Sequence, residues 1–172
     1  MRTELFILII YLFLSGSCRN ESENRKAPVK PGGQEMADLN RYLVQKDREI
    51  IQNYIERKDL ILTESPTGLW YLIKIKGDGK YLKDNDRITM NYKCELLDGT
   101  VCYSSENLGP KQVILGKTDI EPGLNEGLRL LKPGAEALFI LPPFLAFGLV
   151  GDGKKIPPRT IIVYSVSILT EK

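Results

Sequence analysis

The spacing of apolar residues changes character several times along the chain. Residues 5–14, LFILIIYLFL, are apolar without a break, preceded by Arg2 and followed by Ser15-Gly16-Ser17. That run is about half of the ~20 residues a helix needs to cross a bilayer. It matches the apolar core of a secretory signal peptide, and its lack of any amphipathic period argues against a buried strand or helix. We assign residues 1–17 to this signal. Residues 18–34 are polar, mixed in charge and rich in Pro and Gly, too poor in apolar side chains to pack, and are expected to form a disordered tether. From there a helical period begins: Met36, Leu39, Leu43, Ile50 and Tyr54 recur at three, four and seven, with Ile51 and Ile55 widening the stripe. The spacing predicts an amphipathic helix of about six turns within residues 35–62. It either packs on its own domain or serves as a stem for dimerisation or partner binding.

Residues 63–172 read as strands. TGLWYLIKIKGDG predicts a strand over 69–75, and DRITMNYKCELLDGTVCYSS predicts two strands around Asp98-Gly99, a strong hairpin signal. KQVILG, EALFILPP and RTIIVYSVSIL supply three more strands. One short helix, over 124–131, is stopped by Pro133-Gly134. Short strands with one brief helix point to an α+β domain, a curved antiparallel sheet wrapped on a helix. There is no internal repeat.

Composition removes several chemistries. A net charge of +2 with interspersed signs gives no support to nucleic-acid binding. The sequence holds 0 histidines, which removes the commonest general base, the Ser-His and Cys-His nucleophile pairs and most zinc or copper sites. No metal or other cofactor is implied. Cys94 and Cys102 flank the hairpin turn, either as two reduced core thiols or, outside the cytoplasm, as a disulfide. Cys18 follows a small residue directly after the apolar run, which resembles the lipobox of bacterial lipoproteins, although Ser15 stands where Leu is usual. The resemblance implies lipid attachment at Cys18. Cleavage before an unmodified cysteine is the competing reading.

Four segments in order carry a family resemblance: DRITMNYKCELLDGTV, ILGKTDIEPGLNEGLRLLKPG, ALFILPPFLAFG and GDGKKIPPRTIIVYSVSIL. Together they resemble the FK506-binding-protein (FKBP) family of peptidyl-prolyl isomerases over about residues 86–169, and most nearly the gliding-motility-associated isomerase lipoproteins. The resemblance implies a half-open antiparallel sheet around one short helix, with the pocket between them. The implied pocket residues are Tyr92, Ile120, Glu121 (through its backbone N–H, which receives a ligand carbonyl), Leu124, Phe147, Ile156 and Tyr164. Where the family reads Phe-Asp-Ser-Ser, this chain reads Cys102-Tyr103-Ser104-Ser105, and Phe147 replaces a family tyrosine. A further family aromatic falls at about Lys111, and Asp152 and Lys155 are the implied flap residues. Loss of both the aspartate and the tyrosine hydroxyl leads us to expect a more apolar pocket.

Prolyl isomerisation needs no acid or base. The ~18–20 kcal/mol barrier is set by amide resonance, and an apolar site favours the twisted, less charge-separated transition state over the planar amide. The two resemblances together imply a lipid-anchored isomerase of the bacterial cell envelope, outside the cytoplasm. Its partners would be proline-containing client polypeptides and, through the lipid, the membrane. A homodimer through the stem helix is a further expectation. A proline-binding chaperone or interaction module, or a part of a gliding or surface-assembly machine, is the alternative.

Overall fold

The central feature is an antiparallel sheet whose two faces are buried by different helices. A computed structural model describes residues 32–170. The expected signal peptide, Cys18 and nearly all of the tether lie outside the described residues. Helix α1 (Gly33–Arg57) is followed by strands β1 (Thr63–Glu64), β2 (Trp70–Ile75), β3 (Arg87–Leu96) and β4 (Val101–Ser104). A one-turn helix α2 (Ser105–Leu108), β5 (Lys111–Ile114), α3 (Pro122–Leu128), β6 (Glu136–Leu141), a 3-10 turn (Pro143–Leu145) and β7 (Ile162–Ile168) complete the chain. The strand order is β1-β2-β6-β7-β3-β4, with β5 also on β3.

Strand β3 organises this sheet because it is ten residues long. One edge pairs continuously with β7 from Met90 to Leu96. The other edge is shared: Arg87–Met90 pair with β5 and Lys93–Glu95 with β4. The β4–α2–β5 excursion thus leaves and rejoins the same edge. In the β3–β4 hairpin, Cys94 opposes Tyr103 and Glu95 opposes Val101, so Cys102 is the extra residue of a β-bulge. Cys94 and Cys102 are both buried and both free thiols.

Burial along β6 alternates between two cores. Ala137, Phe139 and Leu141 face the α3 side with Leu124, Leu128, Tyr164 and Val166. Leu138 and Ile140 face the opposite side with Val163 and Ile161, under Ile51, Tyr54 and Ile55 of α1. The second face turns polar where it is no longer apolar-covered, at the half-buried Ser165 and Ser167 of β7. The amphipathic stripe of α1 is offset from the sequence expectation. Ile51 is buried, whereas Met36, Leu39 and Ile50 are exposed. Asp47 occupies a buried position on the inward face because Arg159, just beyond Pro157-Pro158, donates a 2.6 Å hydrogen bond to its Oδ1. Burial pushes the Asp47 carboxyl up despite the opposing pull of Arg159. An apolar-periodicity count cannot register a buried ion pair, which explains the offset.

Helix α3 lies unusually close to the sheet. Pro122 stands in its first turn, where a missing N–H costs nothing. Two of its four buried residues are glycines one turn apart, Gly123 and Gly127. A Cβ on Gly127 would sit 2.8 Å from the Phe139 ring, and one on Gly123 would sit 2.8 Å from Leu141 Cγ. Helix propensity alone favours Ala over Gly by about 1 kcal/mol. Overpacking a dense core typically costs about 1–3 kcal/mol. Here overpacking wins: Gly127→Ala should lower unfolding free energy by about 1–3 kcal/mol in chemical denaturation. A gain in stability would show that propensity dominates and that the approach is slack.

Candidate functional site

A cavity of about 510 Å³ opens between the N-terminal end of α3 and the sheet, closed on its far side by the segment after the 3-10 turn. Its walls come from β3 (Tyr92), β4 (Tyr103), β5 (Lys111), the approach to α3 (Asp119, Ile120, Glu121, Pro122), Ala146-Phe147, the Asp152–Lys154 loop and β7 (Tyr164). Six residues expected from sequence therefore line one cavity: Tyr92, Tyr103, Ile120, Glu121, Phe147 and Tyr164. Leu124, Ile156 and Cys102 do not line it. They are 0%, 2% and 2% exposed and belong to the core packed behind it. Cys102 is turned inward by the bulge, with Sγ 3.7 Å from the Lys155 carbonyl. Of the implied flap residues Asp152 reaches the cavity, but Lys154 does so in place of Lys155.

Strand register explains the aromatic wall. Tyr164 of β7 is flanked by Cys94 of β3 and Phe139 of β6, a row across three strands on the α3 side. Tyr92 lies two residues from Cys94 on the same side, its ring centroid 6.4 Å from that of Tyr164 and tilted by 44°. Lys111 Nζ stands 6.0 Å from the Tyr92 ring centroid, a cation over an aromatic face where the resemblance implied another aromatic.

The cavity is not the more apolar pocket expected from the loss of the family's aspartate and tyrosine hydroxyl. Two new phenol–carboxylate pairs stand in the wall. Tyr103 donates from its hydroxyl to Asp152 Oδ2. The other oxygen, Oδ1, accepts the backbone N–H groups of Lys154 and Ile156, both at 2.8 Å. Asp152 therefore organises the loop that ends at Pro157-Pro158 while fixing Tyr103 beside it. In the second pair, Tyr164 donates to Glu121 Oε1 at 2.6 Å. Here the carboxylate comes from the residue singled out in sequence for its backbone N–H alone. The reason it was missed is direct: the sequence places Glu121 beside Ile120 but carries no sign that a phenol on the last strand would meet its side chain.

Acidity follows from these contacts. Burial, then the nearby Glu121 charge, pushes the Tyr164 phenol far above its ordinary range. Burial pushes the Cys94 thiol up to about 12, so no reactive thiolate is available there. For Asp152 the burial that would raise its carboxyl is outweighed by the hydrogen bonds from Tyr103 and the loop N–H groups, and it lies below the usual range. Its contribution to stability is thus present above the ordinary carboxylate range and is lost as pH falls through the depressed value. Among the described residues no three Cys, Asp or Glu side chains converge as a metal site.

The Tyr103 phenol, hydrogen-bonded to Asp152, is pushed up to about 12. Tyrosine ring NMR should therefore show Tyr103 still protonated at pH ~11, above the ordinary tyrosine midpoint of about 10. Asp152→Asn should bring it down toward that ordinary value, because the carboxylate acceptor is gone. An unchanged midpoint would mean the pair does not form in solution.

A family model described as FKBP-type peptidyl-prolyl cis-trans isomerase matches residues 79–169. The probable FKBP-type peptidyl-prolyl cis-trans isomerase FkpA of Neisseria meningitidis is 40% identical over 113 residues, covering 65% of this chain and 40% of that protein. FkpA of Escherichia coli K12 is 32% identical over 127 residues, covering 74% and 46% respectively. The chain thus spans less than half the length of these curated relatives. The crystal structure of FkpA from Escherichia coli aligns with a TM-score of 0.63 at 26% identity, covering 99% of this chain and 81% of that one. The crystal structure of AtFKBP13 aligns with a TM-score of 0.61 at 25% identity, covering 65% and 99%. The matched region contains β3 to β7, the short helix and every residue lining the cavity: this chain belongs to the FKBP-type peptidyl-prolyl cis-trans isomerase family.

Proposed function

We propose that this protein catalyses cis–trans isomerisation of X–Pro bonds in client polypeptides. The observation that carries this reading is the cavity between α3 and the sheet, where Tyr92, Ile120, Phe147 and Tyr164 form an aromatic and aliphatic enclosure. In the reading, the proline ring sits among these side chains, with the core-packed Leu124, Ile156 and Cys102 holding them in place. The backbone N–H of Glu121 receives the carbonyl of the residue beside the proline. Rotation about the C–N bond breaks amide resonance, and the twisted amide is less charge-separated than the planar one. Exchanging water for this enclosure stabilises the twisted state relative to the planar one. Each ~1.4 kcal/mol of that difference accelerates the reaction about tenfold. No proton transfer is involved, so the lack of histidine is no obstacle.

The same proposal places the protein in the bacterial cell envelope, anchored by lipid at Cys18, where its clients are envelope or secreted polypeptides. Multiple acyl chains hold a protein at a membrane, whereas one alone is marginal. Palmitate labelling of the full chain, lost in Cys18→Ala, is the expected result; equal labelling of both would rule out Cys18 as the attachment site, and an unlabelled wild type would rule out the anchor.

A second reading has its own observation. Tyr103 and Phe147 stand where the family pattern has an aspartate and a tyrosine, and Tyr103 is tied to Asp152. This favours a module that binds prolyl segments with little turnover. A protease-free isomerisation assay on the full chain separates the two. We expect acceleration over the uncatalysed rate, with kcat/KM lowered about tenfold or more in Phe147→Ala, a loss of ~1.4 kcal/mol or more of transition-state stabilisation. A rate equal to the uncatalysed one, with peptide binding retained, establishes the binding module instead.

A further inference from the structure

The side chain of Glu121 has a place in the cavity wall that its backbone role does not explain. The residue lines the cavity and is 9% exposed. Its Oε1 takes the Tyr164 hydroxyl at 2.6 Å, while Oε2 is buried without any hydrogen-bond partner. Tyr164 has one hydroxyl hydrogen and has already given it to Oε1, and neither of the other groups facing the carboxylate, Tyr92 and Cys94 of β3, donates to Oε2. Native proteins leave few buried acceptors unpaired, because each forfeits its hydrogen bond to water without replacement. Glu121 lines the cavity, so the orphaned oxygen buried just behind the wall is an acceptor whose donor arrives with the ligand. The last torsion of a Glu side chain is broad, so the carboxylate can turn on its stem to present an oxygen to the cavity.

The donor is best supplied by a cation. Hydrogen bonds between ionised partners are about twice as strong as neutral ones, and they strengthen away from bulk water. A lysine carries three donors on a flexible four-carbon stem long enough to reach past a neighbouring ring. We propose that Glu121 is a specificity-determining residue of the pocket, accepting a hydrogen bond from a Lys or Arg side chain adjacent to the client proline. This rests on the isomerase reading for where the proline sits. The remaining cavity charges are of both signs, so the diagnostic is the change on substituting Glu121. Lys111, Lys154 and Asp119 also line the cavity, and Asp152 is already engaged by Tyr103 and its own loop, so a Lys preference counts for Glu121 only where it is lost on substituting Glu121 itself. Long-range attraction to the two lysines alone would favour acidic clients.

The test measures binding by titration calorimetry and isomerisation by NMR exchange, on the full chain at physiological ionic strength. The probes are blocked tetrapeptides with Lys, Leu or Glu either before or after one proline. Wild type should bind a Lys peptide about tenfold more tightly than its Leu counterpart, a difference of ~1.4 kcal/mol, and should rank Glu last. In Glu121→Gln and Glu121→Leu the Lys-to-Leu ratio should fall toward one. The ratio is taken within each protein, so a change in overall affinity does not confuse it, and thermal unfolding verifies that each variant is folded. The near-isosteric Gln variant stands in if Leu fails to fold. The proposal is overturned by no Lys preference at either position, by a preference for Glu, by a Lys preference that survives both variants, or by failure to bind any of the six peptides. If the Lys ranking holds while no peptide is isomerised, catalysis fails and this assignment stands.

Discussion

The close approach of α3 to the sheet is the constraint on which the rest of the site depends. Gly123 and Gly127 present bare backbone to Leu141 and Phe139, and there is no room for a methyl group at either. That contact fixes the depth at which the N-terminal end of the helix sits above the strands. Ile120, Glu121 and Pro122, which lead into the helix, are thereby held opposite Tyr92 and Tyr164 rather than a few ångströms above them. Packed interiors yield little to such shifts, so a motif without a single reactive group still governs the geometry of the cavity.

Around that fixed gap, polarity is set by pairing across elements. A phenol from β4 meets a carboxylate from the Gly151–Ile156 loop, and a phenol from β7 meets a carboxylate from the segment before α3. Each pair joins parts of the chain far apart in sequence, and each replaces water on a group that burial would otherwise penalise. Only the Asp152 pair is fully satisfied, since both of its oxygens are engaged. The Glu121 pair leaves one oxygen free. That asymmetry is the physical difference between the two phenol-bound carboxylates of the cavity wall. On the other face of the sheet, the Asp47–Arg159 contact links α1 to the residue that follows the double proline. The helix is thus joined by an ion pair to the same connection that closes the cavity, in addition to the apolar packing of Ile51, Tyr54 and Ile55.

The legible parts of the fold were those with a local cause. The Asp98-Gly99 turn sits between β3 and β4, with Gly99 at a φ of 91° that few other residues adopt at no cost. The strands at 70–75, 111–114, 136–141 and 162–168 follow apolar runs bounded by Gly, Pro or charged residues. The short helix begins at Pro122 and ends at Leu128, earlier at both ends than an apolar stripe over 124–131 suggests. A proline opening the first turn and a last half-turn tightened by Leu130 and Leu131 N–H bonds to residues three back account for the shift. Strand β1 and helix α2 are too short to leave a periodic trace.

By itself the sequence determined the order of elements, the antiparallel class of the sheet and the family motifs, because each rests on residues within a few positions of one another. It also determined that no imidazole is offered by the residues of this sequence, since composition is absolute. Tertiary structure alone decided that Asp47 is a core residue, that Cys102 turns inward at a bulge, and that Glu121 contributes a carboxylate to the cavity as well as a backbone N–H. Each of those outcomes depends on a partner roughly 40 or more residues away, or on one-residue strand register. Burial of a charge is decided by the arrival of its partner, and no local pattern announces that arrival.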